Sequence, residues 1–169
     1  MRLYSGKVAP IATEIVRTLL ASKDIEAESP KEVEGDLVAV LNQYLADEHD
    51  VNERAKELLE RTGKPQAEYQ RMRSLAADEK RIKLGDETLD YLLDQVVEML
   101  MHSSNVDEVY AADVELRRKM APIFKKHMAV DASVDAEVRA QLRHVREGTR
   151  EWEVEYTRAL EQVRRRKGL

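Results

Sequence analysis

Hydrophobic positions recur along the chain with the three- to four-residue spacing of an α-helix. The first stripe of this kind carries Val8, Ile11, Ala12, Ile15, Val16, Leu19 and Leu20. The last carries Trp152, Tyr156, Leu160 and Val163. Because this spacing places side chains on one helix face, we predict an all-α fold with about four helices in each half of the chain.

One long pattern occurs twice. The segment 40–59, VLNQYLADEHDVNERAKELL, matches 123–142, IFKKHMAVDASVDAEVRAQL, without a gap and at an offset of 83 residues. An upstream segment that begins at Glu14 matches one that begins at Gln95 at an offset of 81, so a two-residue insertion separates the two blocks. This repetition predicts an internal duplication with a pseudo-two-fold axis.

The duplication predicts two tandem helical units, residues 1–85 and 86–169, packed as one globular body. In the first, Ser29-Pro30 is predicted to open the second helix. The charged run 47–50 is predicted to end that helix, with Asp50 capping a third helix that stops at Gly63. A fourth, more polar helix is expected over about 66–84.

In the second unit the same signals recur. Asp86 and Ser133 are predicted N-caps. Pro122 lies inside the helix that is equivalent to the second helix, and proline removes a backbone donor there, so a kink or a restart is expected. The helix after Ser133 is expected to hold Val134, Val138, Leu142 and Val145.

Composition supports the helical prediction and excludes some chemistry. The 169 residues are 36% charged and 5% aromatic, with six Gly, four Pro and no Cys, so neither disulfides nor thiolate catalysis are available. The first apolar stretch is interrupted by Thr13, Glu14 and Arg17 and is too short to cross a bilayer. We therefore expect a cytoplasmic protein with no membrane segment.

Several strings are specific enough to suggest a family. They are MRLYSGKV at the start, EMLMHSSNVDEVYAADVELRRKMAPIFKKHM from Glu98, and WEVEY and RRRKGL near the end. On these strings the chain resembles, essentially end to end, the bacterial domain-of-unknown-function family 507. The resemblance implies a helical bacterial protein with no assigned activity, and no catalytic or binding residue follows from it.

Candidate chemistry is sparse in the sequence. Glu98, His102 and Asn105 form a secondary polar cluster at a predicted helix end and turn, but Glu98 and His102 are spaced for a solvated face beside the apolar stripe. The run 47–50 lacks the turn glycine of a calcium loop. We predict no catalytic residues, no metal site and no cofactor.

The two copies differ most in charge. Glu34-Gly35-Asp36 aligns with Arg117-Arg118-Lys119, and Asn42-Gln43 aligns with Lys125-Lys126, so an acidic helix face becomes basic. A solvated face would look the same, but five cations on one helix also suit an anionic partner. The candidate binding surface is Arg117, Arg118, Lys119, Lys125, Lys126 and His127.

Three functional classes remain open. The first is a non-catalytic protein-interaction module that binds a protein partner or itself. The second is RNA or ribosome binding through the basic helix and the run Arg164-Arg165-Arg166-Lys167, against which stands the net charge of −5. An enzyme with an unrecognised site ranks last.

Overall fold

A computed structural model describes residues 2–130 and 132–168. Its elements in chain order are α1 Val8–Ala21, β1 Ile25–Glu26, α2 Pro30–Thr62, α3 Tyr69–Lys80, α4 Thr88–His102, β2 Glu108–Val109, α5 Asp113–Met128, α6 Ala132–Gln141 and α7 Arg150–Lys167. Single 3-10 turns precede α1, α3 and α4. The all-α prediction is confirmed. The two-residue strands were not predicted.

The chain forms two units, and each takes one segment from either half of the sequence. The first unit comprises Met1–Glu48 and Ile82–Ala129, and the second comprises His49–Arg81 and Val130–Leu169. Their charges differ. The first unit has eleven Lys and Arg against eighteen Asp and Glu, a net charge of −7, and the second has seventeen against fifteen, a net charge of +2.

In the first unit, α1 and α4 both pack against α5. Apart from Thr88 on α4, the buried side chains of these helices are apolar, as the spacing predicts. They include Ile11, Ile15, Leu19, Leu92, Val96, Leu116, Met120 and Phe124. The strands pair antiparallel, with Ile25 opposite Val109 and Glu26 opposite Glu108. Burying one face of α5 in this way leaves its opposite face in solvent.

In the second unit, α6 packs against α7. Trp152 stacks on Tyr156 in α7, and the Arg139 guanidinium of α6 lies over the Trp152 ring at 5.3 Å from its centroid. Asp135 accepts hydrogen bonds from Tyr156 and from Arg139, which fixes this stack. Thr149 caps α7 by accepting a hydrogen bond from the Trp152 amide.

The predicted break in the second helix is wrong. α2 is one helix of 33 residues and passes through the run 47–50, so Asp50 is an interior residue and not a cap. No Gly or Pro lies in this run, and interior Asp or Glu costs a helix only a few tenths of a kcal/mol. Glu48 is buried and pairs with Arg2 at 3.6 Å. The predicted stop at Gly63 is confirmed, since α2 ends at Thr62 and Gly63 has φ +62.

Three predictions in the second half also need correction. Asp86 lies in a 3-10 turn in which the Glu87 and Thr88 amides donate to the Leu84 and Gly85 carbonyls, and α4 begins at Thr88. α6 begins at Ala132, so Ser133 is inside it. α6 ends at Gln141, before the buried Leu142 and Val145.

Two further boundaries differ from expectation. α5 does not restart at Pro122, because the proline sits on the exposed face, where water can satisfy the carbonyl that its ring displaces. The polar helix α3 spans Tyr69–Lys80 rather than 66–84, and it ends where Arg81 adopts a left-handed conformation with φ +62.

Candidate interaction surface

Three of the six candidate binding residues on α5 bind carboxylates of α1 or of the turn after it. The Lys119 Nζ lies 2.5 Å from the Asp24 Oδ2. Lys126 and His127 both contact Glu14, and the His127 Nε2 lies 2.7 Å from the Glu14 Oε2. These three side chains therefore hold α5 against α1 and the turn after it within the first unit.

These contacts lower the pKa values of the two carboxylates, Glu14 and Asp24. The hydrogen bond from Lys126, followed by that from His127, lowers the pKa of Glu14. The hydrogen bond from Lys119, with a smaller contribution from the Ser22 hydroxyl, lowers the pKa of Asp24. Both carboxylates are therefore ionised at neutral pH and complete the ion pairs.

The other three candidate residues differ in their surroundings. Arg117 pairs with Asp94 on α4. Arg118 is exposed, and its Nη2 donates to the Glu115 Oε2 at 2.7 Å, one turn earlier on the same helix. Lys125 is exposed and makes no ion pair with any residue that the structure describes. Of the six, Arg118 and Lys125 are thus the exposed cations that are not bound to another helix.

The secondary polar cluster is not a single group. His102 and Glu98 contact each other at 3.2 Å, and both side chains are about three-quarters exposed. Asn105 binds a different residue. Its side-chain amide donates to the Asp36 Oδ2 at 3.0 Å, and the Ser103 hydroxyl donates to the same oxygen. Glu98 and His102 therefore form an exposed pair, and Asn105 fixes the start of α2 against the end of α4.

An exposed strip on α5 escaped the sequence analysis. Tyr110 and Val114 are 64% and 68% exposed, and they continue into the exposed side chains of Arg118, Pro122 and Lys125. Val114, Arg118, Pro122 and Lys125 recur at intervals of four, four and three residues on one face of α5, and Tyr110 precedes the helix by three residues. We call these five residues the α5 strip. The sequence feature that could have revealed this strip is Val114, an apolar residue that lies outside the buried stripe of Leu116 and Met120.

The N-terminal end of the α5 strip is acidic. The Tyr110 hydroxyl donates to the Glu26 Oε2 at 2.6 Å, which raises the pKa of Tyr110. Glu26 lies directly opposite Glu108 in the sheet, and both are exposed. Asp113 adds a third exposed carboxylate in the first turn of α5. The strip therefore runs from an acidic end to a basic end.

Grooves elsewhere are open and of mixed charge. One of them, of about 660 Å³, lies in the second unit between the end of α2 and the start of α7, where Lys56, Lys64 and Arg150 alternate with Glu60 and Glu151. Across residues 2–130 and 132–168, no group of three or more His, Cys, Asp or Glu is placed to hold a metal ion. Over the same residues, no helix is long and apolar enough to cross a membrane.

The fold and this surface define a small all-α protein with an amphipathic strip exposed on one helix. The chain belongs to the family described as "Protein of unknown function (DUF507)", which matches residues 1–169. The family resemblance drawn from the sequence strings is therefore confirmed. No curated protein matches the chain.

Proposed function

We propose that the protein is a non-catalytic protein-interaction module whose contact surface is the α5 strip. The observation that carries this proposal is the exposure of Tyr110 and Val114, at 64% and 68%, next to the exposed cations Arg118 and Lys125 that follow Val114 on the same face of α5. Aromatic and Arg side chains are the groups that most often dominate binding energy at protein interfaces. Exposed apolar groups rimmed by charge are typical of such contact sites.

Tyr110 is well suited to be the anchor. Its hydroxyl is already bound to Glu26, so its ring is held in place before a partner arrives. Fixing a side chain in advance reduces the conformational entropy that association would otherwise cost. A partner that covers the ring therefore gains the apolar contact with little further ordering of this side chain.

The sequence proposal is refined in one respect. We assign Arg117, Lys119, Lys126 and His127 to the stability of the first unit, because each contacts a carboxylate of that unit. The reversal of charge between the two copies then reflects pairing inside the protein. Arg118 and Lys125 remain as the cations available to a partner.

Contacts at equivalent positions support the proposed duplication. Thr13 donates to Glu34 in the first half, and the equivalent residues Asp94 and Arg117 pair in the second. We also infer the pseudo-two-fold relation, because such an axis turns a contact between the halves into a second contact between the equivalent residues. Asp36 binds Asn105. Their equivalents in the other half are Lys119 and Asp24, and these two residues also pair. Superposition of the Cα atoms of about 8–62 on those of 89–145 tests this inference.

The test of the interaction function is differential capture from a native lysate. The bait proteins are the native chain, Val114→Asp, and the matched control Lys31→Asp, which changes the exposed residue at the equivalent position of α2. We expect Val114→Asp to lose a partner that both other baits retain, with and without nuclease. Equal capture by all three baits would contradict the proposal. Loss on nuclease treatment would instead favour RNA binding.

A further inference from the structure

We propose that the α5 strip binds a second copy of this chain, with the two α5 helices antiparallel about a two-fold axis. This inference rests on the proposed function, since it names the partner of the same surface. It depends on how charge and apolar groups are ordered along the strip.

The strip is complementary to itself when it is reversed. One end carries Glu26, Glu108 and Asp113, and the other carries Lys125, with Arg118 towards the middle. A two-fold contact places the same patch of both copies together, so residues at one end of the patch meet residues at the other end. In the antiparallel arrangement Lys125 of each copy faces the acidic end of the other, which gives the interface matching charges.

The charge order within α5 also suits the dipole of the helix, but the dipole does not account for the whole strip. Acidic residues in the first turn and basic residues in the last are favoured in any helix. Glu26 and Glu108, however, lie on the strands, and like charges directly opposite each other destabilise a sheet. Lys125 of a second copy would relieve this repulsion.

The apolar members of the strip fit the same arrangement. Tyr110 and Val114 lie in the N-terminal part, and Pro122 lies in the C-terminal part beside the aliphatic stems of Arg118 and Lys125. Reversal brings the exposed ring and the valine of one copy onto the proline and these stems in the other. Antiparallel alignment also opposes the two helix dipoles, which is favourable.

The size of the surface sets the expected strength. α5 has 16 residues and is therefore about 24 Å long. A contact built around one helix falls below the roughly 1,200 Å² that stable complexes bury. Each chain also carries a net charge of −5. We therefore expect a reversible dimer with a dissociation constant in the micromolar range or weaker.

Sedimentation equilibrium over a wide concentration range tests the proposal on the full chain. We expect the native protein and Lys31→Asp to dimerise with the same Kd within about twofold, and Val114→Asp to dimerise at least about tenfold more weakly. Circular dichroism checks that each variant is folded. A native chain that stays monomeric throughout, or a dimer that Val114→Asp leaves unchanged, would overturn the proposal.

The absence of cysteine allows the geometry to be tested separately. Pro122→Cys places one thiol inside the proposed interface, opposite Val114 of the second copy, and Ala39→Cys places one at the equivalent exposed position of α2. A short bismaleimide should link Pro122→Cys into dimers much faster than Ala39→Cys at the same concentration. Equal rates would contradict the antiparallel contact.

The two proposals fail in different ways. If the native chain is monomeric but Val114→Asp loses a captured protein, the strip is a contact surface for another protein, and self-association is wrong. If Val114→Asp changes neither capture nor sedimentation, both the interaction function of the strip and the dimer are wrong.

Discussion

α2 and the α5–α6 segment have the same spacing of apolar residues but different backbones. Leu41, Val51 and Leu59 align with Phe124, Val134 and Leu142 at a constant offset, and all six are buried. Yet α2 is continuous from Pro30 to Thr62, whereas α5 ends at Met128, and Ala129 is extended with φ −68° and ψ 137°.

The difference shows that periodicity determines which side chains are buried, but not where a helix ends. Around the midpoint α2 reads Ala46-Asp47-Glu48-His49, and the equivalent residues begin Ala129-Val130. Val has a stiff, branched side chain that favours extended backbone. Glu48 is buried beside Arg2, which supports the helical turn in α2. These local differences coincide with the point where α5 ends and α2 continues.

The largest expected effect comes from the shared core position. Phe124 and Leu41 are equivalent, and each side chain is fully buried. Phe124→Ala should lower the free energy of unfolding by about 3–5 kcal/mol and Leu41→Ala by about 2–5 kcal/mol. Urea denaturation measures both. A loss below about 0.5 kcal/mol at either site would mean that the side chain is not in the core.

A proline substitution should cost more stability in the continuous helix α2 than at the equivalent break between α5 and α6. His49→Pro places proline inside α2 and should cost about 3 kcal/mol. Val130→Pro follows Ala129, which already has the extended backbone that a residue before proline requires, so it should cost less than about 1 kcal/mol. Thermal unfolding compares the two, with His49→Ala as the control for loss of the imidazole. An equal loss of stability in His49→Pro and Val130→Pro would contradict a continuous α2 and a break after α5.

Acid should weaken the α1–α5 contact. The pKa values of Glu14 and Asp24 are lowered in the folded protein, so both carboxylates bind protons more readily when the chain unfolds. Their contribution is therefore full above the ordinary carboxyl pKa of about 4 and is lost as the pH falls through the lower folded values. Both ion pairs are partly exposed, so we expect roughly 1 kcal/mol in total.

The double variant Glu14→Gln, Asp24→Asn tests this expectation. Its free energy of unfolding should fall less steeply than that of the native protein as the pH drops below about 4. Gln95→Ala changes the uncharged position on α4 that is equivalent to Glu14, and it should leave the native pH dependence intact. Parallel profiles for the native protein and the double variant would show that the two ion pairs do not stabilise the fold.

Sequence reasoning reached the fold class and most of the core, but only part of the surface. The apolar stripe identified Leu41 and Phe124 as buried, since spacing alone specifies a helix face. It could not reveal that Lys119 and Lys126 bind Asp24 and Glu14, because those residues are about a hundred positions away along the chain. The exposure of Val114 likewise depends on which face of α5 the other helices cover.

The smallest expected effect on stability lies on the α5 strip itself. Val114 is 68% exposed, so Val114→Asp should change the free energy of unfolding by no more than about 0.5 kcal/mol, in contrast to Phe124→Ala on the buried face of the same helix. Chemical denaturation at a protein concentration below the dimer range measures this change. A loss of several kcal/mol would place Val114 in the core and remove it from the contact surface.

A charge-swap mixture tests the central claim most directly, that the α5 strip binds a second copy of itself. Lys125→Glu and Asp113→Lys each place like charges opposite each other in the antiparallel dimer, so each variant alone should sediment as a monomer. In an equimolar mixture, a dimer of one Lys125→Glu copy and one Asp113→Lys copy has opposite charges at both pairs. We therefore predict that the mixture forms dimers with the same concentration dependence as the native protein. If the mixture stays monomeric while the native protein dimerises, or if either variant alone dimerises like the native chain, the antiparallel contact is contradicted.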